Sequence, residues 1–194
     1  MQRLFHGSIL KGIKCLKPIS KFHEDDSKLV VYLTENLAYS LFYIWDEVKN
    51  NRIKKWVTCK IEDGVVIYEE QFSDQLKRFY DGVKGYVYTF KKDESFIRTQ
   101  EEDMCISFSE ADVDGCEEIS NVYDRLIEYE MLGKVIIKRF DSLSKTEKSK
   151  MIDKMSDYII MKGLLNVDNE QSRFISSNHI DAWEYAKEKS KTRN

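Results

Sequence analysis

The chain has 194 residues, 42% hydrophobic and 34% charged, with a formal net charge of -3. This suits one core, or one domain with an appendage, and gives no overall attraction to nucleic acid. No apolar run reaches the ~20 residues of a membrane span, and the opening "MQRLFHGS" lacks the apolar stretch and cleavage site of a secretory signal.

Taken in order, residues 2–5 read as a short opening strand, and "LVVYLT" (29–34), a run of β-branched and aromatic residues, reads as a buried one. Thr34 is then placed to cap a helix from Glu35 to about Val48, with Leu37, Leu41, Ile44, Trp45 and Val48 on one side. "KNNRIKKW" (49–56) is a local basic run, which usually means a solvated face. "WVTCKI" (56–61) and "VVIYE" (65–69) flank the turn signal "EDG" and read as paired strands. A short helix from Ser73 to about Tyr80 follows, then strands "GYVYTF" (85–90) and "MCISFS" (104–109). Residues 117–133 read as a helix closed by Gly133, and "KVIIKRF" (134–140) as a strand.

The last quarter is helical. Ser144 and Glu147 have the spacing of a capping box ahead of a helix over 144–164, and a final helix is expected over 178–189. Strands, hairpin-like connections and interspersed helices argue an α+β fold with a mainly antiparallel sheet. The expected division is a domain over 1–140 and a helical C-terminal extension over 141–194 packed on it. Neither G-x-G-x-x-G nor a phosphate loop occurs. Cys15, Cys59, Cys105 and Cys116 include no C-x-x-C pair, so they read as reduced thiols of a cytoplasmic protein without a metal site.

Three short stretches carry chemistry. "HGS" (6–8) ends the first strand: Gly7 offers bare backbone whose N–H and C=O match a carboxamide, with His6 and Ser8 beside it. In "VVYLTENLAYSLFY" (30–43), Tyr32 lies in a strand and Tyr39 and Tyr43 share a helix face, an arrangement able to sandwich a planar ring. In "RTQEEDMCISFSE" (98–110), acids directly precede a strand, where one carboxylate can meet a ribose hydroxyl and stabilise positive charge on the sugar. Singly, each has an ordinary reading as a strand-end histidine, core tyrosines or a solvated acidic turn.

Together and in this order they resemble the ADP-ribosyltransferase fold, in its diphtheria-toxin-like H-Y-E branch, which includes the poly(ADP-ribose) polymerases. His6-Gly7-Ser8 matches the H-G-[ST] motif, Tyr32-Leu33-Thr34 the strand tyrosine motif, Tyr43 the later helical tyrosine, and Glu102 the glutamate that opens a strand. The resemblance covers about residues 3–110 and implies a split, mainly antiparallel sheet. It also implies cleavage of the nicotinamide–ribose bond of NAD⁺, with transfer of ADP-ribose to an acceptor that the sequence does not identify. Gly7 and Ser8 would then hold the nicotinamide amide, His6 the adenosine ribose, and Tyr32 and Tyr43 the nicotinamide ring, with Thr34 alongside and no metal. Glu102 would bond the nicotinamide ribose; Glu101 is its rival, since neighbouring strand residues face opposite ways. A catalytically silent nucleotide-binding or interaction module on the same fold, an NAD⁺ glycohydrolase and an RNA 2′-phosphotransferase are the alternatives. The last wants clustered arginines, and Arg3, Arg52, Arg78 and Arg98 are scattered.

Overall fold

The computed structural model describes residues 2–50, 53, 56, 58–101 and 103–192. Its strands are β1 (Arg3–Ser8), β2 (Cys15–Leu16), β3 (Ser20–Phe22), β4 (Asp25–Thr34), β5 (Cys59–Glu62), β6 (Val65–Glu69), β7 (Gly85–Lys91), β8 (Ile97–Arg98), β9 (Met104–Ser107), β10 (Ala111–Asp112), β11 (Gly115–Ile119) and β12 (Val135–Lys138). Its helices are α1 (Leu37–Leu41), α2 (Gln75–Tyr80), α3 (Val122–Met131), α4 (Lys145–Met161), α5 (Glu170–Asn178) and α6 (Ile180–Thr192). The fold is α+β with mostly antiparallel pairing. Among the described residues, no helix is long and apolar enough to cross a membrane.

The chain forms two compact units. The first takes 1–46, 57–68 and 76–137; the second takes 47–56, 69–75 and 138–194. A single division at 140/141 therefore does not describe the chain: two short inner segments belong with the C-terminal helices.

In the first unit the main sheet runs β11-β7-β1-β4-β9-β8, with β3 also on β4. Alternation sends Leu4, Val31, Leu33, Tyr88, Phe90 and Cys105 to one face, where they form a buried cluster with Ala111 of the β10–β2 ribbon. On the other face, α1 lies against β1, and Phe42 stacks on Tyr68 with ring centroids 5.2 Å apart. Tyr80 donates its hydroxyl to the Phe42 carbonyl at 2.9 Å. A second sheet has the order β12-β6-β5.

α1 is shorter than the apolar spacing suggests, because Thr34 still belongs to β4, paired with Phe5 and Met104. Asn36 is the cap, its side chain accepting from the Tyr39 N–H at 3.1 Å. After Leu41 the bonds tighten to three-residue spacing, from Tyr43 N to Ser40 O and from Ile44 N to Leu41 O, and Val48 is exposed. The expected helix over 117–133 is in fact a strand and then a helix. Residues 115–119 pair with β7, and Asn121 caps α3 by accepting from Tyr123 N.

In the second unit, α4 opens on the expected capping box: Ser144 Oγ accepts from Glu147 N, and the Glu147 carboxylate returns to Ser144 N. α4 and α6 are joined by Lys189, whose ammonium reaches Asp153 at 2.6 Å and Asp157 at 3.1 Å. α5, absent from the expected elements, supplies Phe174. It packs with Trp56, Phe72 and His179 in one aromatic group.

Candidate functional site

The strands that carry the three motifs are consecutive in the sheet. β1 holds His6-Gly7-Ser8, its neighbour β4 ends in Tyr32-Leu33-Thr34, and β9 begins just after the acidic stretch. β1 pairs with β7 from Arg3 opposite Lys91 to Ser8 opposite Tyr86. Against β4, among the described residues, it meets at one bridge, Phe5 opposite Thr34. The histidine motif thus lies where β1 and β4 part.

His6 is half-buried, and its Nδ1 lies 3.4 Å from the Tyr32 carbonyl oxygen, a long contact in which the ring donates as the Nδ1–H tautomer. The two side chains do not meet. His6 is opposite Tyr88 on the face of Leu4, whereas Tyr32 follows Thr34 and Phe5 to the face of α1. The Tyr32 hydroxyl serves the 21–23 turn, accepting from His23 N at 3.1 Å and donating to the Lys21 carbonyl at 3.2 Å.

Tyr43 does pair with Tyr39, as their spacing requires: its hydroxyl donates to the Tyr39 oxygen at 3.0 Å, with ring centroids 5.3 Å apart. Burial raises the pKa of both phenols, so both stay neutral. Ser8 and Thr34 are engaged locally. Ser8 Oγ accepts from Leu10 N and Thr34 Oγ1 from Asn36 N, each at 3.1 Å.

Gly7 differs from the expectation of bare backbone open to a ligand. A Cβ on it would lie 2.0 Å from the Ser40 carbonyl oxygen and 3.0 Å from Ile44 Cγ1. The space a side chain would fill is taken by the α1 backbone. The glycine is therefore required by close helix–strand approach, and any ligand contact at Gly7 is confined to its main-chain edge.

Glu102 lies outside the described residues, as do Asn51, Arg52, Lys54, Lys55 and Val57 of the 49–61 stretch. Glu101 is exposed, and Asp103 has a left-handed backbone at φ 59°. Thr99 N donates to the Met104 carbonyl at 3.0 Å, Met104 N to the Glu101 carbonyl at 3.2 Å, and Glu35 N to the Asp103 carbonyl at 2.7 Å.

Glu35 is the charged residue that the sequence reading passed over. Its side chain is 9% exposed and is held by Lys92 and by Arg98, whose Nε lies 3.3 Å from Oε1. The Arg98 hydrogen bond, helped by Lys92 and opposed by burial, brings the Glu35 pKa down to about 2. Glu35, Asn36 and Asp103 line a cavity of about 670 Å³ with Arg3, Gly64 and Lys134. Among the described residues, no group of three or more His, Cys, Asp or Glu could hold a metal ion. Compared with protein-family models, curated proteins and solved structures, the chain matches none.

Proposed function

We propose that this chain is an NAD⁺-dependent mono-ADP-ribosyltransferase. The supporting observation is the adjacency of β1, β4 and β9, which carries the His-Gly-Ser, Tyr-Leu-Thr and acidic stretches to consecutive strands, with β1 and β4 parting just past Phe5 and Thr34. In this reading the main-chain edge of Gly7 takes the nicotinamide amide and Tyr32, Thr34 and Tyr43 border the ring, while His6 and Ser8, which face the other side of the sheet from Tyr32, are left to bond groups beyond that edge. The carboxylate of Glu102 offsets the positive charge that grows on the ribose as nicotinamide leaves. The acceptor is a protein, a nucleic acid or a small molecule; with water as acceptor the activity is NAD⁺ glycohydrolysis. Arg98 is committed to Glu35, which leaves RNA 2′-phosphotransfer without that arginine.

The test is release of nicotinamide from NAD⁺, followed chromatographically, in wild type, Glu102→Gln and Glu101→Gln. Glu102→Gln should keep NAD⁺ binding and lose on the order of 10²–10³ in turnover, because an amide bonds a hydroxyl but does not stabilise the charged transition state. Glu101→Gln should change turnover little. NAD⁺ binding without nicotinamide release in wild type would favour the silent module, and absence of binding at millimolar NAD⁺ would refute the pocket.

A further inference from the structure

We infer that Glu35 is a positioning residue for the acidic turn: its buried carboxylate anchors the β4–α1 junction to β8 and to the end of β7, and the junction in turn holds Asp103. This inference rests on the ADP-ribosyltransferase reading for its catalytic consequence, but the contacts stand on their own. Glu35 is tied to Lys92, just past β7, and to Arg98 of β8, so three separate chain segments converge on one carboxylate. The junction then reaches the turn twice. Glu35 N donates to the Asp103 carbonyl at 2.7 Å, and Asn36 Nδ2 lies 3.5 Å from Asp103 Oδ2 while donating to the Gly64 carbonyl at 2.9 Å.

The other flank of the turn is tied by Thr99. Its N–H donates to the Met104 carbonyl at 3.0 Å, and its hydroxyl accepts from Glu101 N at 3.2 Å. Asp103 turns the chain here with a left-handed backbone, at φ 59°, a conformation that aspartate tolerates better than most residues with a side chain. A carboxylate whose value lies in stabilising a developing charge must be held to a fraction of an ångström, and a displacement of about 1 Å costs on the order of 10²-fold in rate. The Glu35 N–Asp103 O bond continues the β4–β9 ladder one pair beyond Thr34 opposite Met104, so the residue that takes both ion pairs also carries the last ladder bond before the turn. Glu35 combines the two within one residue.

The experiment uses the full chain with Glu35→Gln, and with Arg98→Gln as a milder change at an exposed partner. Two measurements are made below the melting range: kcat and KM for nicotinamide release from NAD⁺, and hydrogen exchange at the Asp103 and Met104 amides. Glu35→Gln should lower kcat on the order of 10- to 100-fold, hold KM within about threefold, and accelerate exchange at the turn; Arg98→Gln should do the same to a smaller degree. Unchanged exchange in both variants, or a kcat that falls only with the folded fraction, overturns the positioning role. If Glu35→Gln does not fold, Arg98→Gln decides by the same criteria. If wild type releases no nicotinamide, the proposed activity fails, while faster exchange still upholds the hold on the turn and unchanged exchange removes it.

Discussion

Acidification from pH 7.5 to pH 4.5 should destabilise the second unit through His179. This imidazole is 6% exposed, and its Nε2 has no hydrogen-bond partner. Trp56, Phe72 and Phe174 surround it, with ring centroids 6.0, 5.2 and 6.4 Å away. Burial lowers its pKa from 6.5 to about 4, because protonation would place a cation among these rings. The folded state thus binds fewer protons than the unfolded one between these values. The stability His179 contributes is fully present above pH 6.5 and is lost as pH falls towards 4. A difference of about 2.5 pH units corresponds to about 3 kcal/mol, a large share of the 5–15 kcal/mol typical of a folded protein. Glu35, with its pKa lowered from 4.5 to about 2, loses its contribution mainly below pH 4.5 and meets the His179 window only at the lowest pH used. Urea unfolding followed by near-ultraviolet circular dichroism at pH 7.5, 6.0, 5.0 and 4.5 measures the loss. His179→Phe, which fills the site with a non-titrating ring, should lose much less stability over the same range, its residual loss coming from carboxylates such as Glu35 near pH 4.5. Parallel losses in wild type and His179→Phe would refute the buried neutral imidazole as their source.

Further outcomes follow from other contacts. Gly7→Ala should cost about 3 kcal/mol, since a Cβ 2.0 Å from the Ser40 oxygen forces α1 away by more than 1 Å; a melting temperature equal to wild type would show that α1 adjusts freely. Gly85→Ala should behave alike, its Cβ falling 2.2 Å from Ile44 Cγ2 and 2.8 Å from the Ser8 carbonyl, and the same thermal measurement checks it. Ser144→Ala removes the α4 cap and should cost about 1 kcal/mol, read from the urea midpoint, with nicotinamide release unchanged.

What could be read in the sequence was what depends on neighbours along the chain. The strands around Tyr32, Val87 and Ile106 follow from β-branched and aromatic runs, the Ser144–Glu147 box from its spacing, and the Tyr39–Tyr43 contact from one helical turn. Contacts set by distant residues were not legible. Gly7 looked like an opening for a ligand because nothing local reveals that Ser40 crosses above it. Glu35 read only as the first residue of a helix because Lys92 and Arg98 lie far along the chain. α5 escaped because "EQSRFISSN" has little apolar content, and its buried side includes Ser172 alongside Phe174 and Ile175. The opposite facing of His6 and Tyr32 depends on the β1–β4 register, which a single sequence does not specify.

The interleaving of the two units has a consequence for synthesis. The chain passes from one unit to the other at 46/47, 56/57, 68/69, 75/76 and 137/138. Trp56 and Phe72 emerge early, yet their partners Phe174 and His179 are made about a hundred residues later, a delay of roughly 5–20 s at ordinary elongation rates. For that interval two large aromatic side chains wait without their native cover, while the first unit already has its strands through β11. The second unit is thus a late, post-synthetic assembly. A fragment released at residue 140 would keep the waiting aromatics but never receive α4, α5 and α6, so it should collect on chaperones or in aggregates rather than behave as a free-standing domain.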